Sequence, residues 1–307
     1  MKKSILFYVY ILFLLPSVYS QKIQIIENKP VKGIPTGEYQ LSGISPNRKS
    51  LLLTKAHSQG LYVFELKTGR LQTITALPGS GYRPAFSKRG KFLVYRWDNY
   101  IEKTRLSSIN KVKLKKNETT VVVDNERVVS VPYVLGNEMA YTLDGKLKSD
   151  EFIWWMSTDP EDYTFVLSED LQPTLWIKGY KKTLLPNGEG SYIWVSMSPD
   201  KKKILYYYVG EGAFVCDLNG KILLEAGNLL NPSWLKKDLI IGIGPHNGTA
   251  KSTATDIVAY SVQTKKKMVV TNTANVNERN PFPFSNGKGI AYQLSDGSFH
   301  ICTLKIR

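Results

Sequence analysis

Two cysteines, Cys216 and Cys302, are all that 307 residues contain. So few exclude a disulfide-dense scaffold and zinc sites built on cysteine pairs. Histidine is almost as scarce, with only His57, His246 and His300. No His-x-His or HExxH spacing joins them, so no metal-site motif is legible. A Gly-x-Ser-x-Gly nucleophile elbow and a Walker-type phosphate loop are both missing. Gly242-Ile243-Gly244 has no Lys-Ser or Lys-Thr behind it and reads as a β-turn. No recognition helix or zinc finger points to nucleic acid, and no motif implies a cofactor. Acidic residues are in deficit, with 26 Asp and Glu against 41 Lys and Arg, for a net charge of +15.

Long apolar runs are confined to the start. MKKSILFYVYILFLLPSVYS has two lysines, an apolar core from Ile5 to Leu15, and then Val18 and Ser20 at signal-peptidase spacing. This is the pattern of a cleaved signal peptide over residues 1–20. Its core is short for a bilayer span, which needs about 20 residues. The expected mature chain, 21–307, is a single periplasmic or secreted domain with no transmembrane anchor. In that oxidising compartment a disulfide is permitted.

What fills the rest is repetition. YIWVSMSPDKKKILYYYVGEGAFVCDLN, residues 192–219, reads as strand, polar turn, strand, glycine turn, strand. Asn219-Gly220 then signals a hairpin into KILLEA. The same grammar runs through residues 39–75, where Ser45-Pro46-Asn47 matches Ser198-Pro199-Asp200 and LYVFEL matches AFVCDL. Anchor positions recur at Ile44, Phe86, Val134, Met197, Trp234 and Phe284, separated by 42, 48, 63, 37 and 50 residues. Four-strand units at this period predict a β-propeller. The expected architecture is all-β with six four-stranded antiparallel blades, near 39–78, 82–123, 128–186, 192–226, 232–271 and 280–306. The last unit stops after its third strand. KIQIIE, residues 22–27, is expected to supply the missing outer strand and close the ring.

These residues resemble the TolB-like branch of β-propeller repeats, related to the WD-repeat-like blades that precede the catalytic domain of some prolyl peptidases. The shared pattern is Pro-x-Trp/Phe-Ser-Pro-Asp-Gly-Lys. Pro84-Ala85-Phe86-Ser87-Lys88-Arg89-Gly90-Lys91 and Pro283-Phe284-Ser285-Asn286-Gly287-Lys288 follow it, as does Met197-Ser198-Pro199-Asp200-Lys201-Lys202. The resemblance implies the propeller fold, here without TolB's extra N-terminal domain and without a peptidase domain.

For function, the missing enzyme motifs favour a non-catalytic exported protein that binds a protein or glycan partner in the cell envelope. Residues 146–162, KLKSDEFIWWMSTDPED, read as an insertion in the third blade, where Asp150, Glu151, Asp159, Glu161 and Asp162 are interleaved with Phe152, Trp154, Trp155 and Met156. Function is often carried on such departures from a scaffold. The candidate contact residues are Trp154, Trp155, Asp159 and His246, the last in another extended loop. One alternative is a hydrolase or lyase acting on an anionic polysaccharide, suggested by the basic charge, the histidines and the loop acids. Another is a purely structural envelope component. Cys216 and Cys302 fall at the same place in the third strands of blades four and six, so both are expected to be free and buried.

Overall fold

The computed structural model describes residues 22–152, 163–246, 254–273 and 276–307. Residues 1–21 lie outside them.

Among the described residues, seven antiparallel sheets succeed one another along the chain. The first joins β2 (Gln40–Ile44), β3 (Ser50–Lys55), β4 (Gln59–Glu65) and β5 (Arg70–Thr75). The second joins β6 (Ala85–Phe86), β7 (Phe92–Ile101), β8 (Thr104–Lys113) and β9 (Glu118–Glu126). Two sheets have three described strands each. They are β10 (Tyr133–Leu135), β11 (Glu138–Leu143) and β12 (Lys146–Glu151), then β13 (Thr164–Glu169), β14 (Gln172–Ile177) and β15 (Tyr180–Thr183). The fifth contains β16 (Tyr192–Met197), β17 (Lys203–Tyr208), β18 (Gly212–Asp217) and β19 (Ile222–Gly227). The sixth contains β20 (Leu230–Lys236), β21 (Leu239–Pro245), β22 (Thr255–Ser261) and β23 (Lys267–Val269). In the seventh, β24 (Glu278–Pro283), β25 (Gly289–Leu294) and β26 (Phe299–Ile306) are completed by β1 (Ile23–Val31).

The expectation of six blades is therefore corrected to seven. Residues 128–186 hold two blades rather than one blade with an insertion. The error came from β12, KLKSDE, whose polar residues are mostly exposed and hide a strand. A sequence signal was present. Met156-Ser157-Thr158-Asp159 repeats Met197-Ser198-Pro199-Asp200 at one blade period, and the 63-residue anchor step exceeded every other.

Seven apolar clusters fill the seven junctions between blades. Leu52 and Leu61 meet Leu93 and Tyr95 between blades one and two. Val166 and Leu175 meet Tyr206 and Phe214 between blades four and five. Leu41, Leu53 and Phe64 meet Ala291 and Phe299 between blades one and seven. A single blade cannot cover both its faces, so the ring must close to bury them. Closure is by β1, which pairs antiparallel with β26 from Ile23↔Ile306 to Val31↔Phe299. This is the strand placed there by the sequence. It leaves β26 without a free edge.

The repeated serine turns explain themselves. Ser198, fully buried, accepts hydrogen bonds from the backbone N–H groups of Lys202 (3.2 Å) and Lys203 (2.9 Å) and donates to Asp200 (2.7 Å). Ser45 does the same with Lys49, Ser50 and Asn47. Each hydroxyl supplies the acceptor that turn N–H groups need once the strands are buried.

Strand order gives the ring two unlike faces. Turns joining first to second and third to fourth strands lie on one, the turn face. Turns joining second to third strands, and connections between blades, lie on the other, the loop face.

Candidate functional site

All three histidines fall on the loop face, each beside a second-to-third-strand turn, but they stand apart. His57 is exposed in blade one, in the left-handed region with φ 55°. His300, in β26, lies 3.2 Å by Nδ1 from Asn28 Oδ1, with its ring 5.4 Å from that of Tyr292. Burial lowers its pKa, partly offset by the Asp296 carboxylate.

His246 is different. It follows Pro245 at the end of β21, and Asp256 is the second residue of β22, paired with Gly244 across the ladder. His246 Nδ1 is 2.8 Å from Asp256 Oδ2. The Asp256 side chain is only 1% exposed, that of His246 14%. Asp256 Oδ1 also accepts the backbone N–H of Thr273 at 3.2 Å. The carboxylate is thus held at both oxygens. A carboxylate on Nδ1 fixes the tautomer and aims Nε2 outward as a proton acceptor.

Blade seven completes the wall. Asn277 Oδ1 accepts the backbone N–H of Thr255 at 2.8 Å, and Thr255 donates its hydroxyl to the Glu278 carbonyl at 3.1 Å. Glu278, first in β24, is 1% exposed. Among the described residues, neither of its carboxylate oxygens has a partner of hydrogen-bonding geometry. Burial raises its pKa. The nearby Thr273 and Thr271 hydroxyls pull it back only in part, and the Asp256 charge raises it further. Burial thus biases Glu278 toward the neutral acid beside an Asp–His pair.

Gly242 and Gly244 lie inside β21 rather than in a β-turn, which corrects the sequence expectation. A Cβ at Gly242 would come within 2.7 Å of Leu229, and one at Gly244 within 2.9 Å of Val258. Their smallness lets blade six pack closely beneath His246.

The inner strands carry strained residues near the axis. Trp194, Asn231 and Asn280 have φ of 52°, 47° and 49°, each at a register shift in β16, β20 or β24. Bulges of this kind re-aim side chains. Asn231 Nδ2 donates to Asn280 Oδ1 at 3.0 Å, linking blades six and seven. Arg83, in the connection to blade two, donates to the Val195 carbonyl of blade five at 2.7 Å. Those blades are three steps apart in a ring of seven, so Arg83 crosses the central opening. A separate cavity of about 240 Å³, lined by Ile44, Leu52, Pro84, Phe86, Phe282 and Pro283 among others, excludes all three histidines.

Of the contact residues predicted from sequence, Trp154, Trp155 and Asp159 lie outside the described residues, as do Glu161 and Asp162. Asp150 and Glu151 are in β12. Asp150 forms an ion pair with Lys111 of blade two, and the Glu151 carbonyl accepts from the same amine at 2.7 Å. Only His246 joins a site, and sequence reasoning missed Asp256 and Glu278. The legible signal was a carboxylate heading the otherwise buried run of β22. Among the described residues no three His, Cys, Asp or Glu side chains gather as metal ligands.

The sequence matches no protein-family model and no curated protein. It does have structural likenesses. A chain from a mitotic checkpoint complex is similar at 10% identity and TM-score 0.58, over 98% of each chain. An oligogalacturonate lyase in complex with manganese is similar at 14% identity and TM-score 0.48, over 85% of this chain and 76% of that one. An oligogalacturonate lyase from Vibrio parahaemolyticus has 12% identity and TM-score 0.47 over the same shares. The likeness is one of fold.

The expectation of a non-catalytic protein is corrected at this point. In this chain, Asp256 holds His246 in the arrangement of an acid–base pair.

Proposed function

We propose that the chain is a propeller enzyme that cleaves an acidic polysaccharide by β-elimination, with His246 as its base. The observation that carries this is the 2.8 Å contact between His246 Nδ1 and the buried Asp256. Glycoside hydrolysis requires two carboxyl groups, one of them free to act as nucleophile or base. Here Asp256 is committed to His246 and Thr273, and Glu278 is buried. A lone oriented imidazole suits proton abstraction instead.

In the step proposed, His246 Nε2 removes the proton on the carbon next to a uronate carboxyl group. That C–H electron pair forms a carbon–carbon double bond. The glycosidic C–O bond on the next carbon breaks, and its oxygen leaves with that bond's own electron pair and takes up a proton from solvent, to which the imidazolium returns the one it removed. No water is consumed. Asp256 stabilises the imidazolium. Burial raises the Glu278 pKa, which weakens the negative charge it sets beside the incoming carboxylate. Arg83, on the same face, supplies a cation at the central opening.

The Ser-Pro-Asp turns support placing the chain in the TolB-like branch, and the signal-like start supports export to the periplasm or beyond. The test of the reaction is to incubate the protein with polygalacturonate and other uronate polymers. Elimination leaves a conjugated unsaturated uronide that absorbs in the ultraviolet. Chain shortening with new reducing ends but no such absorbance would mean hydrolysis. No shortening of any uronate polymer would overturn the proposal.

A further inference from the structure

Among the described residues, the turns of the ring segregate positive charge to one face. Among the described residues, turns of the turn face carry sixteen Lys and Arg against two Asp. Turns and connections of the loop face carry four Lys and Arg against seven Asp and Glu. All sixteen basic residues are exposed. Ten of them form adjacent pairs, on blades one, two, five and six, as in Lys88-Arg89, Lys201-Lys202 and Lys265-Lys266. Lys22 and Arg307, whose backbones bond each other at the closure, add to the same face.

We infer that the turn face is a docking surface for an anionic lipid bilayer. The charges are spread around a ring of turns rather than gathered in a groove, which matches a plane better than a polymer strand. Lysine predominates, a flexible, strongly hydrated point charge without arginine's fixed fork for one phosphate. Such charges draw a protein to anionic headgroups additively and within about one Debye length. Folding supplies the segregation. Every first-to-second and third-to-fourth-strand turn points the same way, so basic residues in the repeated turn sum on one face. Docked so, the ring holds its loop face and His246 away from the membrane. The weakly acidic loop face gains nothing from this charge, so the docking reading stands independently of the proposed activity.

The test is sedimentation of the chain with phosphatidylcholine vesicles, with and without phosphatidylglycerol. Binding should be at least about tenfold stronger with the anionic lipid and should fall steeply with salt. Reversing Lys88, Arg89, Lys201, Lys202, Lys265 and Lys266 to Glu should abolish it. Reversing Lys32, Lys103 and Arg127 on the loop face should leave it unchanged. A triple variant, Lys88→Glu, Lys201→Glu and Lys266→Glu, serves if the larger change lowers the melting temperature. Equal binding to neutral vesicles would overturn the inference. So would full binding by the turn-face variants, or retention on polygalacturonate with none on anionic vesicles. Enzyme activity enters none of these readings.

Discussion

Cys216 and Cys302 occupy the same rung of their blades. Cys216 of β18 pairs with Ile204, as Cys302 of β26 pairs with Ile290. Phe64 with Leu51 in blade one, and Tyr260 with Ile240 in blade six, hold the same place. Both cysteines are free and fully buried, in blades five and seven rather than four and six, with blade six between them. Burial pushes their thiols up, to about 12 for Cys216 and about 11 for Cys302.

Thiol chemistry should follow. Denatured protein without reductant should show two thiols per chain. Native protein should label slowly across neutral pH, because the reactive thiolate is suppressed. Fast native labelling of either cysteine would contradict the packing described.

Glu278 gives a pH signature. Its folded pKa is raised by burial. Between the unfolded value, about 4.3, and the folded one, the native state binds more protons than the unfolded state. The contribution of Glu278 to stability should therefore be fully present below about 4.3 and be lost as pH rises through the folded pKa. Glu278→Gln should remove that fall and melt higher than the parent at neutral pH. Parallel melting curves against pH would mean that Glu278 ionises freely.

Ser198→Ala removes the acceptor used by the Lys202 and Lys203 N–H groups. Losing a hydrogen bond at such a part-buried turn costs about 0.5–1.5 kcal/mol. A denaturation midpoint lowered by that amount is expected, with an unchanged m-value. An unshifted midpoint would mean that water replaces the hydroxyl without loss.

Removing residues 22–31 should open the ring. Ile23 and Ile25 pack against the core between blades six and seven, and β26 would gain a free edge. The truncated chain should melt lower and associate with concentration in gel filtration. A monomer of unchanged melting temperature would show that closure contributes little.

The strands, the serine turns and the closing strand were legible because period-2 alternation and turn residues are local properties. The blade count was not, because β12 buries little and so lost its apolar signature. The site was harder still. His246 and Asp256 are ten residues apart and meet only through the β21–β22 register. Glu278 reaches them from another blade, through inter-blade contacts that no local pattern encodes.

The central claim is that the His246–Asp256 pair transfers protons, and the most direct measurement is kcat for His246→Gln and Asp256→Asn on a uronate polymer that the parent cleaves. General-base catalysis contributes about 10²–10⁴-fold. His246→Gln should lose at least about a hundredfold in kcat with KM little changed, and Asp256→Asn should lose activity while keeping its fold. Parental kcat in a folded His246→Gln protein would contradict the account.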